Sequence, residues 1–186
     1  MEKKALKALV LYASPNEKGT SYEAGNFVCS VLKKNGIQIR TVHIARSRIS
    51  PCLGKRACRE RAFCIQKDDM QKYYKEIKRS DIIFLVTPIY FYSVPSQMKA
   101  FIDRCQVFWE EKYYKDPNVR EKTGFLIVCG EMRRKDMFDC VEKVVRIFYR
   151  TIKTAFAGKY YFSGDFNKKS SVILEKRVNK LLLKIS

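Results

Sequence analysis

Residues 8–21 read Ala-Leu-Val-Leu-Tyr-Ala-Ser-Pro-Asn-Glu-Lys-Gly-Thr-Ser, an apolar run followed by a loop of polar and turn-forming residues. A short apolar run between turn residues is typical of a strand that is buried on both faces of a sheet. Thr20 and Ser21 are good N-caps, and apolar residues follow them at helical spacing until Asn35-Gly36 ends the pattern. The segment therefore predicts a strand, a loop and a helix, in that order.

The same alternation of strand and helix continues along the chain. Further strands are predicted at 37–44, 82–86, 125–129 and 156–162, and further helices from about Asp68, from Ser96, over 137–152 and from Ser170 or Ser171. A polar stretch from Glu110 to Lys122 precedes the fourth strand. Strands that alternate with helices form a parallel sheet with right-handed crossovers and helices on both faces, so the predicted fold class is α/β.

The composition is that of one folded and strongly basic domain. The chain has 186 residues, and its 38 Lys and Arg against 19 Asp and Glu give a formal net charge of +19. Hydrophobic residues make up 46% and aromatic residues 13% of the chain, which excludes a disordered basic tail. The length predicts a single domain over residues 1–186, with a Cys- and Arg-rich loop inserted at about 46–66.

The positive charge is concentrated in two regions of the sequence. Residues 46–79 carry 11 basic and 4 acidic side chains, residues 125–186 carry 14 and 6, and residues 80–124 carry 6 of each. The charge follows neither a single Lys- or Arg-rich motif nor a base-stacking pattern, so the sequence does not indicate specific nucleic-acid recognition. A solvated basic surface is the simplest interpretation.

The chain is predicted to be cytoplasmic and to have no membrane span. Its longest apolar stretch, residues 82–92, is interrupted by Thr87 and Pro88 and is shorter than the ~20 residues that a membrane span needs. Three N-terminal lysines before residues 8–13 resemble the start of a signal peptide. The apolar part is short, however, and it leads into the pattern of a loop and a helix, so we interpret it as the first strand.

Two loops are candidates for a ligand site, because open α/β sheets bind ligands at the carboxyl ends of their strands, where the strand order reverses. In a sheet of order 2-1-3-4-5, the loops after the first and third strands face one crevice. The first loop offers hydroxyl, amide and cationic groups beside a helix N-terminus, and such groups bind phosphate. It matches neither the dinucleotide-binding nor the Walker sequence. The candidate residues are Ser14, Asn16, Lys18, Gly19, Thr20 and Ser21.

The second loop carries three aromatic side chains between two prolines. Its residues are Pro88, Ile89, Tyr90, Phe91, Tyr92 and Ser93. Prolines stiffen the backbone, and aromatic side chains at a strand end offer a flat surface to a planar ring. A phosphate site beside such a loop fits a mononucleotide with a large planar ring, and flavin mononucleotide (FMN) fits better than most. In the alternative interpretation, the first loop is only a capped turn and the aromatic side chains only cover the end of the sheet.

Both loops carry a family resemblance. Residues 13–21 resemble the Gly-Ser-Pro-Arg-x-x-Gly-Asn-Thr loop of NADPH-dependent FMN reductases and iron–sulfur flavoproteins, with Ala13 and Thr20 in place of the usual Gly and Asn. Residues 87–104, Thr-Pro-Ile-Tyr-Phe-Tyr-Ser-Val-Pro-Ser-Gln-Met-Lys-Ala-Phe-Ile-Asp-Arg, resemble their central signature. The resemblance covers roughly residues 5–130.

The resemblance implies a flavodoxin-like three-layer sandwich, with a five-stranded parallel sheet in the order 2-1-3-4-5. It also implies that the phosphate of FMN binds at Ser14–Ser21. The isoalloxazine ring is then expected to lie against Pro88–Ser93 and near Gly130 and Glu131. Members of the family assemble so that the flavin is covered, which implies a homodimer or tetramer.

Three of the seven cysteines lie in the inserted loop, in the segment Cys52-Leu-Gly-Lys-Arg-Ala-Cys58 and at Cys64. Iron–sulfur flavoproteins place four cysteines here, and Lys55 stands where one of them is expected. A four-iron cluster normally needs four thiolates, so an iron–sulfur cluster on these three residues is doubtful. Zinc would lack the short paired spacing and a fourth ligand. Free thiols or a redox pair are the favoured interpretation, and the neighbouring cations should make these thiols reactive.

The remaining cysteines and the single histidine are predicted to be structural. His43 should lie near a strand end, and a Ser or Cys hydrolase is not indicated because only one histidine is available and no nucleophile-elbow sequence accompanies it. The cysteines on apolar positions of predicted helices and strands, expected in the core, are Cys29, Cys105, Cys129 and Cys140.

The sequence is compatible with three functions. The leading hypothesis is an FMN-containing oxidoreductase that takes electrons from NAD(P)H, or from a protein donor, and passes them to a flavin, a quinone or another acceptor. Because flavin itself performs the electron transfer, no catalytic side chain is required. The alternatives are a flavodoxin-type electron carrier, whose docking partner would have to be acidic, and a basic nucleic-acid-binding module.

Overall fold

A computed structural model describes residues 5–61, 63–109, 120–132 and 134–185. Five strands form one sheet in the order β2-β1-β3-β4-β5, and every neighbouring pair is parallel. This confirms the predicted order and direction of the strands. The strands are β1 (Lys7–Tyr12), β2 (Gln38–His43), β3 (Ile82–Pro88), β4 (Lys122–Gly130) and β5 (Thr154–Ser163).

Helices cover both faces of the sheet. The helices are α1 (Thr20–Lys34), α2 (Ala57–Arg61), α3 (Met70–Arg79), α4 (Ser96–Arg104), α5 (Lys135–Thr151) and α6 (Lys168–Leu182), with short 3₁₀ helices at Ile44–Arg46 and Cys105–Trp109. One hydrophobic core joins α1 and α6 to one face, and a second joins α3, α4 and α5 to the other. Successive residues of a strand point to opposite faces, so the central strands contribute to both cores.

The central strand β3 explains why its sequence is an unbroken apolar run. All five residues of Ile82–Val86 are at most 1% exposed, and Phe84 and Leu85 belong to opposite cores. Burial of one such side chain stabilises the fold by about 1.5–3 kcal/mol. Replacing any residue of this run by a polar one would therefore remove a large part of the free energy of unfolding of an ordinary domain.

Several element ends differ from the sequence predictions. Gly19, rather than Thr20 or Ser21, is the N-cap of α1. Ser96 is the first residue of α4, after Pro95 as the N-cap. The last helix begins at Lys168, because the side chain of Asn167 accepts a hydrogen bond from Ser170 N and caps the helix earlier.

Strand β4 is longer than predicted, and the preceding segment is only partly described. Lys122, predicted to end a polar stretch, is instead the first residue of β4 and pairs with Thr154 of β5. Residues 110–119 of that stretch lie outside the described residues. Among the described residues, no helix is both long and apolar enough to cross a membrane.

The cysteine predictions hold only in part. Cys105 is fully buried, as expected for the core. The other three cysteines predicted in the core, Cys29, Cys129 and Cys140, are partly exposed. Cys29 and Cys129 nevertheless pack against the core formed with α1 and α6.

Candidate functional site

The loops after β1, β3, β4 and β5 meet at the carboxyl edge of the sheet and enclose a cavity of about 420 Å³, here called the sheet-edge cavity. Ligand pockets commonly have volumes of ~300–1,000 Å³. The predicted residues that line it are Ser14, Asn16, Gly19, Thr20, Ser21, Pro88, Ile89, Tyr90, Gly130 and Glu131. The position of the cavity is the one expected for a ligand site in an open α/β sheet.

Side-chain hydrogen bonds hold the loop between β1 and α1 in one shape. Ser14 Oγ accepts a hydrogen bond from Asn16 N at 3.1 Å, and Asn16 Oδ1 accepts one from Lys18 N at 3.0 Å. The loop is anchored to the sheet where Ala13 N donates to Val86 O at 2.9 Å. Such turns are typical of Ser and Asn, whose short side chains reach nearby backbone groups.

Gly19 is required by a close approach rather than by its backbone angles. Its φ of −86° is open to any residue. A Cβ at this position would lie 3.2 Å from Asn16 Nδ2, the amide whose oxygen holds the loop. A larger residue at Gly19 would therefore displace the Asn16 side chain.

The N-terminus of α1 points its backbone amides toward the cavity without a capping side chain. No side chain of the described residues makes a capping hydrogen bond here. The hydroxyl-bearing residues Thr20 and Ser21 form the first helical positions and line the cavity. Tyr22 N and Glu23 N donate to Gly19 O, which leaves the amides of Thr20 and Ser21 for a ligand. These two amides, the positive end of the helix dipole and two hydroxyl groups together form an anion site.

A tight two-residue turn shapes the loop after β3. Tyr90 and Ser93 exchange both backbone hydrogen bonds at 2.9 Å, and the residues between them, Phe91 and Tyr92, have positive φ values of 46° and 59°. Residues other than glycine occupy this left-handed region at a cost of roughly 1–2 kcal/mol each. The surrounding contacts must hold the turn in place, and strain of this kind concentrates at functional sites.

Two contacts fix the loop after β3 to its neighbours. Ile89 N donates a hydrogen bond to Cys129 O of β4 at 3.1 Å. Tyr92 Oη donates to Asp136 Oδ2 of α5 at 3.1 Å, and the guanidinium of Arg134 lies 5.7 Å from the centre of the Tyr92 ring. The loop is thus held on both sides, which keeps Tyr90 at the cavity wall.

Four predicted site residues lie outside the lining of the cavity: Lys18, Phe91, Tyr92 and Ser93. Phe91 is fully exposed, and Tyr92 is engaged with α5. The structure therefore brings Tyr90 together with five of the six candidate residues of the loop between β1 and α1, whereas Phe91 and Tyr92 do not line this space.

The end of β5 completes the cavity, and the sequence analysis did not include it. Gly164 N donates a hydrogen bond to Gly130 O at 3.2 Å, which joins the ends of β4 and β5. The predicted strand order does indicate this part of the site. It places β5 next to β4, so the loop after β5 must reach the same edge of the sheet as the loop after β4. The lining residues missed by sequence reasoning are Cys129, Met132, Met137, Gly164 and Asp165.

The family model for NADPH-dependent FMN reductases matches residues 6–168 of the chain. The chain belongs to this family. Among curated relatives, an iron–sulfur flavoprotein of Archaeoglobus fulgidus is 31% identical over 123 residues, which are 66% of this chain and 54% of the relative. An iron–sulfur flavoprotein of Methanosarcina thermophila is 36% identical over 103 residues, which are 55% and 52%. The matched stretch thus spans about half the length of these two relatives.

Two solved structures of other proteins share the fold. An NAD(P)H:quinone oxidoreductase from Methanothermobacter marburgensis superposes with a TM-score of 0.71 at 16% identity, over 95% of this chain and 94% of the other. A flavodoxin of Streptococcus pneumoniae superposes with a TM-score of 0.62 at 15% identity, over 97% and 99%. These likenesses establish the flavodoxin-like fold.

The groups of the sheet-edge cavity fit FMN, the flavin in the name of the family. The uncapped amides of α1 and the hydroxyls of Thr20 and Ser21 suit a phosphate. Pro88, Ile89 and Tyr90 supply a stiff and largely apolar wall for a planar ring. Gly130 leaves room at the strand end, because a Cβ there would lie 3.3 Å from Ile89 Cδ1.

The cysteine segment lines a separate and much smaller pocket. Cys52, Lys55, Cys58 and Cys64 line a pocket of about 40 Å³, here called the cysteine pocket. Cys52 is exposed, and Cys58 and Cys64 are half-buried against the core. Gly54 and Arg56, on either side of Lys55, have positive φ values of 65° and 53°.

A buried ion pair holds this segment. The side chain of Arg104 is fully buried and donates to both carboxylate oxygens of Asp68, at 2.6 and 3.0 Å. Arg104 also donates to Ser50 O at 2.8 Å, and Gln71 Nε2 donates to Cys64 O at 2.9 Å. Burial raises the pKa of Asp68, but the hydrogen bonds from Arg104 and from backbone amides outweigh burial and lower it overall. The pair therefore stays ionised and anchors both ends of the loop.

The cysteine pocket does not fit a cluster held by four thiolates. Its fourth position holds Lys55, and an amine side chain does not replace a thiolate as a cluster ligand. Within the described residues, no group of three or more His, Cys, Asp or Glu side chains is arranged to hold a metal ion. The cluster named in the curated relatives is therefore not carried over to this chain.

His43 occupies the structural position predicted for it. It is the last residue of β2, and its ring stacks on Tyr12 with 4.6 Å between centroids. Burial lowers its pKa. The neutral ring packs beside β1 and does not line the sheet-edge cavity.

Proposed function

We propose that the protein is an FMN-binding oxidoreductase that takes electrons from NAD(P)H, or from a protein donor, and passes them to a flavin, a quinone or another acceptor. This proposal rests on one observation: two features line the same cavity. These are the uncapped N-terminus of α1 and the rigid wall of Pro88 and Tyr90. Membership of the FMN reductase family supports it.

The residues of the chain would bind and orient the cofactor. Ser14, Thr20 and Ser21 would donate hydrogen bonds to the phosphate, together with the first-turn amides of α1. Bound flavin supplies the electron transfer itself. The chain has to hold the ring at a fixed position, keep water from one face and leave the other face open to a donor or acceptor.

Contacts with neighbouring elements hold the wall of the cavity in place. The hydrogen bond from Ile89 N to Cys129 O ties the loop to the strand that flanks it. The contact between Tyr92 and Asp136 ties the same loop to α5. Tyr90 is therefore positioned before a ligand arrives, which lowers the ordering cost of binding.

The test compares two neighbouring aromatic residues by fluorescence titration of the apoprotein with FMN. Tyr90→Ala removes a side chain of the cavity wall and should weaken FMN binding about two- to thirteenfold, because an aromatic stacking contact contributes about 0.5–1.5 kcal/mol. Phe91→Ala removes a neighbouring aromatic side chain that is fully exposed and does not line the cavity, and it should change the affinity less than twofold. A wild-type protein that does not bind FMN would contradict the proposal.

The electron donor is tested on the FMN-loaded protein under anaerobic conditions. Oxidoreductase function requires that NAD(P)H bleaches the visible absorption of the bound flavin and that a quinone restores it. The cycle must repeat over many turnovers. A protein that binds FMN but is reduced only by a chemical reductant would instead be an electron carrier.

Self-assembly into a homodimer or tetramer, and a cytoplasmic location, belong to the same proposal. Phe91 is fully exposed beside the cavity, and Met132, which lines the cavity, is 57% exposed. Apolar side chains at the mouth of a site are typical of surfaces that another chain covers.

A further inference from the structure

The sheet-edge cavity is acidic although the chain is strongly basic. Two of the residues that line it, Glu131 and Asp165, are carboxylates, and no described lining residue is Lys or Arg. In the whole chain, basic residues outnumber acidic ones by 38 to 19. The local charge of the cavity is therefore opposite in sign to the charge of the molecule.

The two carboxylates follow different strands, Glu131 after β4 and Asp165 after β5, and both line the same cavity. The hydrogen bond from Gly164 N to Gly130 O brings their loops together at 3.2 Å. Burial, followed by the charges of Asp165 and Glu131, raises the pKa of the Cys129 thiol to about 11. Because Cys129 lines the cavity, both negative charges are felt inside it.

Salt screening decides which charges matter at this site. At physiological ionic strength, charges that are exposed to solvent are largely screened beyond about 8 Å. Glu131 and Asp165 are also exposed to solvent, but they line the cavity and therefore lie within that distance of a molecule bound there, whereas no described lining residue is Lys or Arg. A molecule in the cavity is therefore exposed chiefly to the two carboxylates.

We propose that Glu131 and Asp165 select the acceptor: they favour neutral or cationic ring compounds over anionic ones, and they keep the reduction potential of the bound flavin low. The inference rests on the proposed flavin function and names the substrate class of the same site. The physical reason is common to both effects. A fixed negative charge opposes further negative charge, whether an acceptor brings it or reduction adds it.

The experiment removes each charge while keeping the shape of the side chain. Glu131→Gln and Asp165→Asn are compared with Glu175→Gln, which removes the same charge from α6 at a residue outside the cavity lining. For each variant, kcat/KM is measured with 1,4-naphthoquinone and with its 2-sulfonate, and the midpoint potential of the flavin is titrated against a reference dye. Comparing variant with wild type cancels the intrinsic difference between the two quinones.

Each cavity variant should shift the ratio of the two kcat/KM values toward the sulfonate by about fivefold. This is the effect of about 1 kcal/mol between unit charges 4 Å apart in water. Each should also move the midpoint potential to a more positive value. Glu175→Gln should leave the ratio and the potential unchanged.

Three outcomes would overturn the inference. A wild-type protein that fails to bind FMN in the preceding titration contradicts both this inference and the proposed function. If the wild type binds FMN but the cavity variants leave the ratio and the potential unchanged, only the role of the carboxylates is wrong. A fall in FMN affinity with an unchanged ratio and an unchanged potential would assign the carboxylates to holding the ribityl chain, and it would equally contradict acceptor selection.

Discussion

Lys55 stands at the point where this chain departs from its cluster-bearing relatives. It shares the cysteine pocket with Cys52, Cys58 and Cys64, and it prevents a complete set of thiolates. Lys55→Cys should therefore create a four-thiolate site. After anaerobic reconstitution with iron and sulfide, the variant should hold about four iron atoms per chain, whereas the wild type should hold far fewer. Iron and acid-labile sulfide analysis measures both.

The neighbouring residue provides the control for this change. Arg56→Cys adds a thiol one position further along the same turn, where the spacing to Cys58 is too short for the pattern of the relatives. It should not increase the bound iron. Stoichiometric iron and sulfide in the wild type would show that the lysine does not prevent a cluster.

At the scale of elements, a carboxylate joins α5 to β5. Glu142 of α5 accepts hydrogen bonds from Tyr161 and from Lys159, the latter at 2.5 Å, and Arg146 forms an ion pair with it at 2.6 Å. Burial alone would raise the pKa of Glu142, but these partners outweigh burial and bring it to about 2. Because the pKa is lower in the folded state than in the unfolded state, the contact stabilises the protein above about pH 4.5, and this stabilisation is lost as the pH falls toward 2.

Glu142→Gln tests this contact. The variant keeps an oxygen that can accept from Tyr161 but loses the attraction to Lys159 and Arg146, both of which are partly exposed and screened. The free energy of unfolding at pH 7 should fall by about 1–3 kcal/mol. Urea unfolding at pH 7 and pH 3 measures this, and the difference from wild type should shrink at pH 3. An equal difference at both values would show that charge plays no part.

The central strands could be predicted from the sequence because each is an apolar run that only a buried position explains, as at Ile82–Val86. The edge strands β2 and β5 are only partly buried and were predicted from the alternation of apolar and polar residues. The ends of helices were harder to predict because a side chain a few residues away can cap them, as Asn167 does for α6. In the candidate site, single-loop motifs pointed to residues that line one cavity in the structure, namely Ser14, Asn16, Gly19, Thr20, Ser21 and Tyr90. Asp165 was missed because its place depends on the pairing of β5 with β4 and not on any local motif.

At the scale of the whole molecule, the charge of +19 and the acidic cavity act at different distances. The net charge attracts anions from solution, and such steering weakens as salt shortens the range of the field. The carboxylates Glu131 and Asp165 act on whatever is already inside the cavity. An anionic cofactor is thus drawn to the protein by its phosphate, while its ring enters a locally negative site.

This separation predicts that salt controls how fast FMN binds. Between 0.02 and 0.5 M NaCl, the association rate of FMN with the apoprotein should fall about tenfold, because its phosphate is attracted by the basic surface. Riboflavin has the same ring without the phosphate, so its association rate should change little. Stopped-flow measurement of flavin fluorescence follows both reactions. If the two flavins showed the same salt dependence, the net charge would have no part in capturing the cofactor, and the basic surface would have to serve another anionic partner.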